Sequence, residues 1–204
     1  MRNVKALIGL AAVVAATSSC GSVARQGRSP VYLVMDSLAA QRGGPDAEEF
    51  VVPLLSDVLT NVTAPAPCSA TSPCPQIFND LGRATLRAEM KDPSLTSPTT
   101  TNAVTITRYH VSYRRADGRN AEGVDVPFAF DGATTATVSV GSQTAVPLEL
   151  VRHVAKMESP LVSLANSATI VTMIAEVTLY GFDQAGNGVT ITGLIQIDFG
   201  NFGD

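Results

Sequence analysis

The chain has 204 residues, enough for one domain of ordinary size and a tail. Charged residues make up 16%, against about 25% in most soluble domains; Thr, Ser, Val and Ala fill the difference, Trp is absent and the formal net charge is −4. That balance argues against a nucleic-acid surface, whose basic patch would have to be built from scattered cations with RRADGR at 114–119 as the densest cluster, and against a helical bundle rich in Leu, Glu and Lys.

Residues 1–5 are positive through Arg2, Lys5 and the terminal amine. Residues 6–16 are uncharged and mostly apolar, too short to span a bilayer and of the length of a signal-peptide core. Small residues follow, then Cys20, Gly21 and Ser22. This segment resembles the signal peptide of bacterial lipoproteins. Ser18 and Ser19 fit the small positions and Cys20 the modified thiol, while Thr17 stands where that family usually has Leu.

The resemblance implies cleavage after residue 19, acylation at Cys20, a tether over 20–29 and a domain over 30–204. It also implies a membrane-anchored place in the cell envelope, in the outer membrane because Gly21 is not Asp. An ordinary secreted protein cut near Ala16 is the alternative. Several acyl chains hold a protein stably where one does not.

Strands are expected in chain order from Pro30 onward. Residues 31–38 form the first; 50–60 form a second, which Pro53 places at an edge or a bulge. Residues 61–75 read as the longest irregular stretch, holding Cys68 and Cys74 with five residues between them. With Cys20 lipidated these two are left as a pair, a structural staple that closing the loop makes worth about 2.4 kcal/mol. Their spacing does not suit a C-x-x-C redox or zinc site, and no His lies nearby.

Residues 83–91 alternate, with Ala84, Leu86, Ala88 and Met90 on one face and Thr85, Arg87, Glu89 and Lys91 on the other. In 102–115 the parity of Val104 and Ile106 opposes that of Tyr109, Val111 and Tyr113, which a bulge near Thr107 or Arg108 would reconcile. Strands over 133–140 and 144–157 are joined around Gly141. Ser159-Pro160 opens a short helix to about Ala165, and 168–182 and 189–199 flank the hairpin signal DQAGNG.

About eight strands with one short helix predict an all-β sandwich or barrel. TRYHVSYRRADG (107–118) is similar to the third strand of fibronectin type III domains, and AEVTLYGFDQAGNGVTITG (175–193) to the last hairpin of bacterial immunoglobulin-like domains. Together they imply an immunoglobulin-like antiparallel β-sandwich and transfer no activity.

The chemistry-bearing residues are few. His110 and His153 are expected mid-strand, and no GxSxG elbow, HExxH, P-loop or dinucleotide fingerprint accompanies them. Asp183 and Asn187 could offer oxygens to Ca²⁺, but turn formation accounts for them, as it does for Asp117, Asp125 and Asp131. Arg114, Arg115, Arg119 and Arg152 read as solvated strand faces rather than a basic strip. A carbohydrate platform is poorly served by four Tyr and no Trp. The expected function is a non-catalytic binding or structural module of the envelope, without cofactor or metal, contacting a membrane through Cys20 and an envelope protein partner. An envelope hydrolase assembled from residues distant in sequence is the alternative.

Overall fold

A computed structural model describes residues 27–45, 47, 49–92, 94 and 99–202. Ten strands are present among them: β1 (Val31–Gln41), β2 (Leu54–Asp57), β3 (Thr60–Val62), β4 (Cys74–Gln76), β5 (Asp80–Met90), β6 (Val104–Arg114), β7 (Phe130–Val138), β8 (Gln143–Val151), β9 (Val171–Asp183) and β10 (Gly188–Gly200). The fold is all-β. One sheet has the order β1-β5-β8, a second β2-β10-β9-β6-β7, and β3 pairs only with β4. Pairing is antiparallel except where β2 runs parallel to β10.

The period-two pattern decides which faces meet. On β5, Ala84, Leu86 and Ala88 are fully buried, while Thr85, Arg87 and Glu89 turn outward to partial exposure. They share one apolar core with Val146 and Leu148 of β8, and with Ile106, Val177, Leu179 and Ile197 of the second sheet. Each such Val, Leu or Ile side chain contributes about 1.5–3 kcal/mol on full burial. Two tyrosines of β6 tie the sheets together by polar contacts. Tyr113 Oη donates to the Leu150 carbonyl at 2.6 Å, and Glu149 N donates to Tyr109 Oη at 3.0 Å. Burial pushes the Tyr113 phenol well above its ordinary range, so it stays a donor.

The parity change in β6 is a bulge: register shifts between Ile106 and Arg108 against both β7 and β9. The β9–β10 hairpin turns through Gly186, whose φ of +81° suits glycine.

Five expectations are corrected. Residues 50–60 do not make one strand. The extended run stops after Asp57, whose carbonyl is taken by Lys156, and β3 restarts at Thr60. Residues 61–75 are not wholly irregular, because Val62 pairs with Cys74 in the β3–β4 hairpin. The strand over 144–157 ends at Val151, opposite Asp80, and the chain turns into a short helix, α1 (His153–Met157). The helical turn lets Lys156 reach inward. The helix expected from Ser159 is a 3-10 turn, Leu161–Leu164. Asp131 lies in β7 rather than in a turn.

Candidate functional site

Cys20 lies outside the described residues. Cys68 and Cys74 are joined, with Cα atoms 5.4 Å apart, across the β3–β4 hairpin. Cys68 also lines a cavity of about 560 Å3 with Pro45, Val62, Pro65, Pro67 and Phe78. Val62 is buried, yet it stands apart from the main core. Replacing both cysteines by Ser is therefore expected to cost about 2.4 kcal/mol locally. Amide exchange should rise over residues 60–76 while protection in β5, β6 and β9 persists. An equal loss of protection in all strands would show instead that the hairpin is integral to the core.

The two histidines are not brought together. His110, on the outer face of β6, sets Nδ1 3.4 Å from Asp131 Oδ1, which Arg108 also approaches at 3.3 Å. The side chains of His110 and Asp131 are 35% and 62% exposed. His153 is exposed at the first position of α1 rather than mid-strand. Among the described residues no hydroxyl or thiol is hydrogen-bonded to either imidazole.

The arginines are dispersed among carboxylates. Arg114 meets Glu176 at 3.2 Å, Arg152 approaches Glu149 at 4.0 Å and stacks over Phe130, and Arg115 and Arg119 share Asp117 at 2.8 Å each. Hydrogen bonds from Arg119 first, and from Arg115, hold the Asp117 carboxyl down at about 2.

Asp183 closes its turn by accepting from Ala185 N at 3.0 Å, Asn187 N at 2.8 Å and Asn187 Nδ2 at 2.9 Å. Burial works to raise its pKa, but these bonds, with one from Ser29, keep it below the ordinary carboxylate value. Among the described residues no group of three or more His, Cys, Asp or Glu could hold a metal ion.

The most concentrated polar chemistry was not anticipated from the sequence. Lys156, 1% exposed, donates from Nζ to Asp80 Oδ1 at 2.9 Å and to the Asp57 carbonyl at 2.8 Å. Asp80, fully buried, also accepts from Gly43 N at 2.9 Å and from Ser56 Oγ at 2.6 Å. Asp57 in turn accepts from Arg42 at 3.2 Å and Phe202 N at 3.0 Å. No buried side-chain nitrogen or oxygen among the described residues lacks a partner. The cluster ties β2, β5, α1 and the chain after β10 into one joint. Its ions are closed to solvent and fully bonded, which suits fixing a geometry better than turning over a substrate. One signal was legible: Asp80 has the inward parity of Ala84 and Leu86.

The two ends of the domain differ. At one end lie the hairpin turns 139–142 and 184–187, the longer β5–β6 connection 91–103, a cavity of about 180 Å3 between Thr100 and Val140, and the start of the described chain. There Lys91 Nζ donates to the Gly27 carbonyl at 3.4 Å. At the other end lie the long connections 42–53, 58–79, 115–129 and 152–170. Most exposed large apolar side chains among the described residues sit on those connections, including Val52, Val124, Phe128 and Met157. So do the cavity beside Cys68, a second of about 340 Å3 along Val51–Leu55, and a third of about 360 Å3 between Arg119 and Leu161.

Comparison with known families, curated proteins and solved structures finds no match. No helix among the described residues is long and apolar enough to cross a membrane.

Proposed function

We propose that the protein is a bacterial envelope lipoprotein, anchored through acylated Cys20, whose domain is a non-catalytic binding or structural module of immunoglobulin-like sandwich form. The fold reading is supported by strand order. In an immunoglobulin sandwich the first, second and fifth main strands share one sheet, and the third, sixth and seventh share the other. Here β1-β5-β8 matches the first set and β6-β9-β10 the second, with β7 added beside β6 and β2 beside β10. The β3–β4 hairpin is then an insertion before the second strand, and residues 107–118 fall on the third strand that they resemble.

The observation that carries the functional reading is the polarity of the domain. The chain reaches residue 27 at the end with the tight hairpin turns. The opposite end bears four of the five long connections, most of the exposed large apolar side chains and the cavities of about 340, 360 and 560 Å3. A lipid attached seven residues before Gly27 would hold the first end to a membrane and turn the second toward a partner. The partner expected is a protein of the envelope.

The test is the intact mass of the protein extracted from membranes, with and without reductant. The expected result is a chain beginning at Cys20, heavier by its acyl groups, that gains two hydrogens on reduction. An unacylated chain starting elsewhere would refute the anchor.

A further inference from the structure

The cavity of about 360 Å3 between the β6–β7 connection and the 3-10 turn joins two kinds of surface. On one side, Arg115 and Arg119 both grip Asp117 through Nε and Nη2. Two guanidiniums on one carboxylate leave the triad with one net positive charge, and neither Nη1 has a hydrogen-bond partner among the described residues. On the other side are the half-buried Pro160 and Val171, backed by buried Leu161 and Met173 and rimmed by the hydroxyls of Ser163 and Thr169. The volume lies within the range of small-ligand pockets, roughly 300–1,000 Å3, and an apolar wall facing a few convergent polar groups is their usual make-up.

Asp117 already holds both guanidiniums in place, so their spare N–H groups are positioned before any ligand arrives. Guanidinium forks are matched to planar oxyanions. An apolar wall beside them selects against a bare inorganic ion, which would gain nothing from Pro160 and Val171. Asp125, which also acts on Arg119 and whose carboxylate accepts from Ala121 N at 3.2 Å, opposes the positive charge and keeps affinity modest.

We propose that this cavity is a binding site for a small carboxylate carrying a short apolar body, with Arg115 and Arg119 on the carboxylate and the body against Pro160 and Val171. The site stands whether or not Cys20 is acylated.

The test is NMR titration of the full chain, following the Arg Nε–H signals and the Val171 methyls, with hexanoate, acetate and inorganic phosphate as probes. Hexanoate is expected to shift both sets saturably in the millimolar range, and acetate to bind more weakly. Arg119→Gln, at an exposed position, is expected to weaken hexanoate about tenfold. Arg114→Gln, which lies outside the cavity, is expected to leave it unchanged. Absence of a saturable shift overturns the site. Persistence of full affinity in Arg119→Gln also overturns it. Phosphate binding in preference to hexanoate, or hexanoate shifts that leave the Val171 methyls unmoved, would overturn the ligand class.

Discussion

Asp80→Ala is expected to destabilise the domain by about 3–5 kcal/mol, the usual cost of removing one partner from a buried ion pair. The cost arises from what stays behind. Lys156, 1% exposed, would keep only the Asp57 carbonyl, and its ammonium cannot reach water without moving α1. Ser56 Oγ and Gly43 N would lose their acceptor as well. Domains of this size are stable by about 5–15 kcal/mol, so the loss is a large share of the whole. Lys156→Met should be similarly costly, since the Asp80 carboxylate keeps two neutral donors and no cation. The double variant Lys156→Met with Asp80→Leu should recover the part of the loss that comes from an unpaired buried ion, while Ser56 Oγ, Gly43 N and the Asp57 carbonyl still lose the bonds that the pair gave them. Urea unfolding of these variants, with Asp80→Leu as the matching single, measures the cycle. Single variants within about 1 kcal/mol of the parent would show that the pair is hydrated in solution and is not the joint described here.

What the sequence made legible and what it hid separate along one physical line. Features written in neighbouring residues could be read. The alternation of Ala84, Leu86 and Ala88 sets the inward face of β5, the parity break between Ile106 and Tyr109 is the β6 bulge, and DQAGNG is the β9–β10 turn. Features written in distant residues could not. Asp80 and Lys156 are 76 positions apart, and neither stretch carries a motif. Pattern alone extended the strand after Thr144 through Met157, because Val151, Val154 and Met157 are apolar; the demand that Lys156 meet Asp80 breaks it into α1. The β3–β4 hairpin was hidden for another reason. Its connection is rich in Pro, which signals loop, and its strands are only three residues each, held by a disulfide rather than by an alternating pattern. At the candidate binding site, RRADGR was visible as a cation cluster. Its neighbours Leu161 and Met173 come from elements that only the fold brings beside it.

Gly43→Ala should test the same joint from its backbone side. A Cβ at Gly43 would lie 2.1 Å from the Asn79 carbonyl oxygen and 2.7 Å from Phe78 Cβ. The first is main chain immediately before Asp80, so relief requires moving either the turn after β1 or the start of β5. Either movement draws Gly43 N away from the Asp80 carboxylate that it meets at 2.9 Å. The expected cost is about 1–3 kcal/mol for overpacking, plus about 1.5–3 kcal/mol where the hydrogen bond to the charged carboxylate is lost. The second contribution makes the result diagnostic. In the Lys156→Met, Asp80→Leu background there is no carboxylate for Gly43 N to meet, and Gly43→Ala should cost only the steric share. Equal costs in both backgrounds, measured by urea unfolding, would mean that the glycine serves close packing alone. A smaller cost in the apolar background would show that the turn after β1 is held where it is by the buried charge, and through it the edge of the apolar end of the domain.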